Sequence, residues 1–388
     1  MAWFCFTKYG MRNTISAFLI MLSILTWPPA AVHAGETQRG GPRTRIFIVS
    51  SYHPEYLWSQ DTQAGVSQAL LDFHFLDHER QAEEFVRDDY IESSQAVVKK
   101  AWMDTKRKSS KKDIVEATAR IVNDIRVFDP DIILLGDDNA ANYIGNEFID
   151  TDIPIVFWGV NGTPLKYGLI DSLEKPGHNV SGIYQAGYLR ESIEFLQKLV
   201  PGIRTMAVLS DDSETGRAKV KDIENLSGAG RLPVNIVATV VTNSYAQWKS
   251  EAMRLQPGVD AFFVLNHNTL KDETGRAVDQ MEAGLWYLQN IRKPECAHEK
   301  QFAQEGLLLV VDDSGFKQGY EAVRYAHQIL KEGKNVAHLP PSAPERGPVI
   351  VNRARAAALG VSLEDKNFID EFVDISMAME SAPLFRGP

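Results

Sequence analysis

The apolar positions of the first half of the chain form short runs, each followed by turn-forming polar residues. Between the runs lie segments with helical periodicity, such as 58–73 and 113–128, which Asp113 is expected to cap. Short apolar runs separated by helical segments are typical of parallel strands buried on both faces. We predict strands at 45–50, 81–86 (weaker), 132–135, 153–157 and 179–184.

The same alternation begins again after a predicted linker at 185–187, without repetition of the sequence. The predicted strands of this half are 205–209, 235–241, 261–265, 307–311 and 349–352. The predicted helices are 188–199, 215–226, 245–255, 277–291, 316–331 and 354–359. Two series of alternating strands and helices predict an α/β protein with two Rossmann-like lobes of similar size.

Residues 1–34 have the pattern of a cleaved signal peptide. Lys8 and Arg12 precede an apolar stretch at 15–27, and Val32 and Ala34 are the small residues that a signal peptidase reads. An uncleaved anchor is the alternative, but the apolar stretch is short for a membrane span. We therefore predict export to the periplasm. Cys296 is then the one remaining cysteine, so no internal disulfide is expected.

Composition excludes some partners. The chain of 388 residues has 44% hydrophobic residues, which is enough for sizeable cores, and a net charge of −10. An acidic protein is not expected to bind nucleic acid or an anionic membrane as its main partner. The basic segment 99–112 is either a docking patch or a solvated connection between helices, and we favour the connection. We expect a monomer.

Polar and aromatic residues follow the predicted strands at their carboxyl ends, where open α/β sheets bind ligands. The candidate ligand-binding residues in the first half are Ser51, Tyr52, His53, Asp137, Asp138, Asn139, Trp158, Asn161 and Tyr184. In the second half they are Asp211, Asn266 and Asp312. Carboxylates and amides suit hydroxyls, amines or a planar polar ring, and aromatic side chains suit the face of a ring.

Several of these residues also have a structural alternative. Asp138 is a good helix N-cap, Trp158 ends a buried strand and can be core, and Asn161 can shape a turn. His74 and His78 lack an obvious third metal ligand. The sequence has no nucleophile elbow and no phosphate-binding loop, which agrees with a binding protein. We predict no metal, no cofactor and no enzymatic activity.

Several motifs resemble the ABC-transporter substrate-binding proteins of the tryptophan/tyrosine-type group. The motifs are SYHP at 51–54 with Trp58, GDDNA at 136–140, PIVFWGVN at 154–161, GYEAVRYAHQILKEG at 319–333, VNRARA at 351–356 and Leu-Gly at 359–360. They occur in the same order, and the match covers nearly all of the chain after residue 34.

The resemblance implies a type I periplasmic-binding-protein fold, with two lobes joined by three crossings near 184–187, 312–314 and 335–341. Lobe 1 would comprise 44–184 and 313–335, and lobe 2 would comprise 185–312 and 336–375. It also implies that a small polar or aromatic molecule binds between the lobes by hinge closure, and that the closed form docks on a membrane permease.

The turn after the predicted strand 132–135 departs from the family pattern. The amino-acid binders offer small hydroxyl residues to a carboxylate at this turn, whereas this chain has Asp137 and Asp138. An anionic group there would meet like charge, which argues against an amino acid held in the usual way. The motifs are also similar to sensor input domains of histidine kinases, so a periplasmic sensory module is the alternative function. A periplasmic hydrolase is a further alternative.

Overall fold

The computed structural model describes residues 43–161 and 163–374. The predicted signal peptide, residues 35–42, residue 162 and the tail 375–388 lie outside these ranges.

The first half of the described chain forms one six-stranded sheet. Its strands are β1 (Thr44–Ser50), β2 (Tyr90–Glu92), β3 (Ala96–Trp102), β4 (Ile132–Gly136), β5 (Ile155–Asn161) and β6 (Val180–Gln185). In the order β2-β3-β1-β4-β5-β6, all neighbours are parallel except β2 and β3. Phe47 and Val49 of β1 enter one hydrophobic cluster, and Ile46 and Ile48 enter another. Burial on both faces explains the continuous apolar runs.

Helices cover both faces of this sheet. They are α1 (Leu57–Asp72), α2 (Glu79–Arg87), α3 (Lys111–Phe128), α4 (Asp137–Asn139) and α5 (Gly145–Phe148), with a π-helical turn at Ala140–Ile144 and a 3-10 turn at Pro164–Tyr167.

The second half forms a seven-stranded sheet. Its strands are β7 (Thr205–Ser210), β8 (Asn235–Val241), β9 (Ala261–Val264), β10 (Glu295–Ala297), β11 (Leu309–Val311), β12 (Val349–Asn352) and β13 (Glu371–Val373). The order is β13-β12-β11-β10-β9-β7-β8, and only β11 and β12 pair antiparallel. The helices are α6 (Leu189–Leu199), α7 (Glu214–Gly228), α8 (Tyr245–Leu255), α9 (Gln280–Asn290), α10 (Lys300–Gln304), α11 (Gly315–Leu330) and α12 (Arg353–Leu359), with 3-10 turns at Gln256–Gly258 and Val336–His338. Two mostly parallel sheets confirm the predicted two-lobe α/β fold.

Helix α11 follows the strands of the second sheet but packs on the first lobe. A Cβ at Gly65 of α1 would lie 2.0 Å from the Phe316 carbonyl oxygen, and one at Gly319 would lie 2.3 Å from that of Thr62. The two helices therefore approach at backbone distance, which only glycine permits.

The backbone passes between the sheets three times. It leaves the first sheet between β6 and α6 and returns between β11 and α11. The Ser342 amide donates to the Gly182 carbonyl at 3.0 Å, and its carbonyl accepts from the Tyr184 amide at 2.9 Å. Residues up to 342 thus stay beside β6, so we place the third crossing after Ser342, later than 335–341. The division into two lobes at these crossings is a proposal.

Three sequence-based predictions in the first lobe are wrong. The segment 81–86 is part of helix α2, in which Phe85 is the one buried residue. The basic segment 99–112 is not a connection between helices, because it contains the end of β3 and the start of α3. Ser110 caps α3, since its hydroxyl accepts from the amide of Asp113, the residue expected as the cap.

Short elements with little periodicity were not predicted: β2, β10, β13 and α10. No helix in the described ranges combines the length and hydropathy that a membrane crossing requires. Cys296 is buried in the second sheet as a free thiol.

Candidate functional site

Loops at the carboxyl ends of both sheets meet between the lobes. The Tyr52 hydroxyl, after β1, lies 3.0 Å from the Thr215 hydroxyl of α7. The Tyr56 hydroxyl donates to the Asn268 side-chain oxygen at 3.1 Å and accepts from the Gln301 amide at 2.9 Å. We call this region the interlobe site. All five side chains are buried.

An aromatic cluster forms the first-lobe side of the interlobe site. It consists of Tyr52, Tyr56 and Trp58, with the two tyrosine rings edge to face at 5.1 Å. The Lys106 ammonium lies 4.4 Å from the centroid of the Tyr52 ring and 5.3 Å from that of Tyr56. A buried ammonium against two aromatic faces is a cation–π arrangement.

Asp137 begins α4 in the left-handed backbone region, at φ 69°. Its carboxylate accepts a hydrogen bond of 2.7 Å from the Trp58 indole. Burial raises the pKa of Asp137 well above its usual range, against the opposing effect of the Trp58 bond, and the neighbouring Asp138 adds to the rise. Gly159, at φ 69°, has no room for a side chain, because a Cβ would lie 2.4 Å from an Asp137 carboxylate oxygen.

Asp138 is saturated by partners within the protein. Its carboxylate accepts from the Asn161 amide nitrogens of backbone and side chain at 3.2 and 2.6 Å, from Lys166 at 2.9 Å and from the Tyr167 hydroxyl at 2.8 Å. The Thr215 hydroxyl of the second lobe donates at 3.4 Å. Asp138 and Asn161 therefore organise the rim, and Asp138 also contacts the second lobe.

Ser51 and Asn139 also bond within the first lobe. The Ser51 hydroxyl donates to the Gly136 carbonyl at 2.6 Å and accepts from the Ala140 amide at 2.8 Å. The Asn139 side chain donates to the Thr105 hydroxyl at 3.0 Å. These bonds tie the loops after β1, β3 and β4 together.

Trp158 and His53 have mainly structural surroundings. Trp158 is fully buried in the hydrophobic cluster between the first sheet and α1 and α11, which favours the core alternative. His53 is half-buried and lies 3.1 Å from Glu55. Burial lowers the pKa of His53, and Arg107 acts in the same direction.

Tyr184 lines a separate groove of about 570 Å³, together with Gln185, Tyr188 and Asp222. This groove lies between the 3-10 turn at Pro164–Tyr167 and helices α6 and α7.

The three candidates in the second lobe bond mainly to nearby backbone. Asp211 accepts from the Ser213 and Thr269 amides at 3.2 and 3.0 Å, and its own amide donates to the Asn266 carbonyl at 2.6 Å. The carboxylate of Asp312 accepts from the Lys300 amide at 2.8 Å. Burial and the nearby Asp61 raise the pKa of Asp312 well above its usual range.

Sequence reasoning missed three charged residues that the second lobe contributes to the interlobe site: Lys219, His298 and Glu299. Asp313, beside Asp312 at the second crossing, was not among the candidate ligand-binding residues. The Glu299 carboxylate lies 3.4 Å from His298, and the Asp313 carboxylate lies 3.9 Å from the Lys219 ammonium. Burial opposes ionisation of Glu299, but His298 and Lys219 lower its pKa. Burial raises the pKa of Asp313 to about 6, against the opposing effect of Lys219.

A crevice of about 300 Å³ opens from the interlobe site between α1 and α10. Its lining includes Trp58, Gln60 and Asp61 on α1, and Lys300 and Gln304 on α10. The described residues contain no group of three or more His, Cys, Asp or Glu side chains placed to hold a metal ion.

Comparisons with known proteins identify a family that matches this chain. The model of a family described as ABC transporter substrate binding protein matches residues 94–370. A tyrosine-binding protein from Clostridioides difficile (strain R20291) is 26% identical over 208 residues, which are 54% of this chain. The match spans only 57% of that relative's length.

Two solved structures share the fold. The ABC domain in complex with L-Trp from Streptococcus pneumonia has a TM-score of 0.62 and 17% identity, with 85% of this chain and 100% of that chain covered. The ligand-free, open structure of a substrate-binding protein with adhesive properties from Clostridium difficile has a TM-score of 0.60 and 21% identity, with 86% and 100% covered. At these identities the likeness shows the fold alone, which is the predicted two-lobe type I fold.

Proposed function

Because this chain belongs to the ABC transporter substrate-binding protein family, we propose that it is the extracytoplasmic solute-binding protein of an ABC transporter. It binds a small polar or aromatic molecule between its lobes and presents the closed form to a membrane permease. It acts as a monomer and carries out no chemical reaction. The family match and the signal-peptide pattern of residues 1–34 support export.

The observation that carries this proposal is the meeting of polar side chains from both sheets in the interlobe site. Tyr52 and Tyr56 of the first lobe bond directly to Thr215, Asn268 and Gln301 of the second. A ligand placed among these groups contacts both lobes only when they are closed. Such a differential contact is what shifts a hinged protein towards its closed state.

The aromatic character of the site supports an aromatic or amine-bearing ligand. Tyr52, Tyr56 and Trp58 line the first-lobe side, and the relatives above include a tyrosine-binding protein and a domain solved with L-Trp. We assign direct ligand contact to Tyr52 and Asp137. Ser51, Asp138 and Asn139 position the rim, because their polar groups already have partners within the protein. Asn161 does so through its side-chain nitrogen, which donates to Asp138.

The test is to identify what the exported protein carries. Small molecules released from the purified protein are identified by mass spectrometry and returned to ligand-free protein in a thermal-shift assay. At 100 times its Kd, a ligand of the folded state stabilises it by ~2.7 kcal/mol. Retention without turnover, and loss of cellular uptake when the gene is deleted, are expected. Turnover would favour a hydrolase, and unchanged uptake would favour a sensor.

A further inference from the structure

The Lys106 ammonium occupies an aromatic cage without an anionic partner. Lys106 is 3% exposed, and its nitrogen lies over the Tyr52 and Tyr56 rings. Its loop is fixed by the Thr105 hydroxyl, which donates to the Ser51 carbonyl at 2.8 Å. Among the described residues, no carboxylate lies within 4.0 Å of this ammonium. The aromatic cage therefore accommodates a protonated nitrogen, and in the ligand-free protein this nitrogen is that of Lys106.

Asp137, in the same site, is a buried carboxylate without a cationic partner within 4.0 Å in the described ranges. The other nearby cations already have counter-charges. Lys166 lies 2.9 Å from Asp138, and Lys219 lies 3.9 Å from Asp313. A buried carboxylate that lacks a counter-ion favours a cationic ligand.

Hydrogen-bond acceptors in the site also lack donors. Gln301 is buried, and its nitrogen donates to Glu299 at 2.7 Å and to the Tyr56 hydroxyl at 2.9 Å. Because a carboxylate only accepts, these bonds fix the orientation of the amide, and its oxygen has no partner among the described residues. The Asn161 side-chain oxygen is in the same situation, since its nitrogen donates to Asp138.

The site also contains two buried donors without hydrogen-bond partners, Lys219 and His298. These donors do not require an anionic ligand. Each has a carboxylate close by: Asp313 lies 3.9 Å from Lys219, and Glu299 lies 3.4 Å from His298. The unsatisfied acceptors, one from each lobe, and these locally balanced donors point to a ligand that donates hydrogen bonds.

We propose that the ligand of the interlobe site carries a protonated N–H group, as a primary amine or a guanidinium. Its cationic nitrogen replaces the Lys106 ammonium between Tyr52 and Tyr56 and pairs with Asp137. A free carboxylate on the ligand is not required. This inference rests on the proposed function, because it names the chemical class of the same ligand.

The test is isothermal titration of ligand-free protein at pH 7 with three compounds that share one ring: tyramine, tyrosine and 3-(4-hydroxyphenyl)propionate. Putrescine and agmatine extend the panel to amines without a ring. We expect at least one amine to bind, and tyramine to bind at least as tightly as tyrosine. The propionate should bind about 100-fold more weakly or not at all, because it meets Asp137 without a counter-charge.

Two variants test the assigned roles. Asp137→Asn keeps an acceptor for the Trp58 indole but cannot ionise against a bound cation, and should weaken amine binding about 30-fold or more. Lys106→Met removes the internal competitor and should tighten amine binding several-fold. Lys108→Met is the matched control, since Lys108 is exposed in the same loop. Circular dichroism of each ligand-free variant checks that it folds.

Three outcomes would overturn the inference: tighter binding of the propionate than of tyramine, unchanged amine affinity in Asp137→Asn, or loss of binding in Lys106→Met. The last result would show that Lys106 itself holds an anionic group of the ligand. If the compound released from the exported protein binds and is neutral or anionic, the cation inference fails while the proposed function stands. If no amine and no released compound binds, both fail.

Discussion

The buried Asp313 carboxylate makes the stability of the ligand-free protein depend on pH. Asp313 is fully buried at the second crossing, where it accepts from the Gly187 amide at 2.7 Å and from the Gln318 side chain at 3.1 Å. The charged groups that face it are Lys219 and Glu299. Burial raises its pKa from 3.8 to about 6, against the opposing effect of Lys219.

The sign follows from proton linkage. A carboxyl whose pKa is higher in the folded state stabilises the fold below its unfolded pKa, and this contribution is lost as pH rises through about 6. The full contribution is ~3 kcal/mol, and its change between pH 7 and pH 5 is ~1.3 kcal/mol. Asp137 and Asp312 also have raised pKa values, so they act in the same direction.

The assay is urea unfolding of ligand-free protein at pH 7 and pH 5, with Asp313→Asn measured alongside. The free energy of unfolding of the wild type should gain ~1.3 kcal/mol more on acidification than that of the variant. Subtraction removes the groups common to both proteins. An equal gain in the two proteins, or a larger gain in the variant, would refute the reasoning.

Two substitutions in β5 have further expected outcomes. Gly159→Ala should lower the free energy of unfolding by about 2 kcal/mol or more, because it adds strain at positive φ and a contact with Asp137. The control is Gly230→Ala, which is also at positive φ but has open space around it. If urea unfolding shows that both substitutions lower the free energy of unfolding equally, the assigned contact with Asp137 is contradicted. Trp158→Ala should cost about 3–5 kcal/mol, because Trp158 is fully buried in the core. If the melting temperature of Trp158→Ala is close to that of the wild type, Trp158 is not a core residue, and its assignment as a ligand contact is favoured instead.

The sequence was sufficient to predict those elements whose residues are apolar because they are buried. Strands β1 and β4 are continuous apolar runs because both of their faces are covered. Strand β3 was missed because Lys99 and Lys100 interrupt its apolar run. The ammonium of Lys100 is nevertheless buried, where it donates to the Phe85 carbonyl and lies 4.5 Å from the Phe85 ring. A lysine satisfied by tertiary partners cannot be distinguished from a solvated one by local pattern.

The candidate site was predicted in part, for a similar reason. Asp137 and Asp138 follow a clear strand, so the rule that ligands bind at carboxyl ends of strands placed them at the rim. His298 and Glu299 follow β10, a strand of three residues that has no readable periodicity. The position of Lys106 against Tyr52 and Tyr56 depends on the packing of two separate loops. Such juxtapositions are set by tertiary structure and leave no local signal.

The central claim is that a small molecule closes the two lobes upon each other. The most direct measurement is the spin-label distance between Gln60→Cys on α1 and Gln304→Cys on α10, which line opposite sides of the crevice. The buried Cys296 is not expected to react with the label. We predict a broad distribution with long distances in ligand-free protein and a single short distance at saturating ligand. A distribution that stays unchanged when the ligand is shown to be bound would contradict the account.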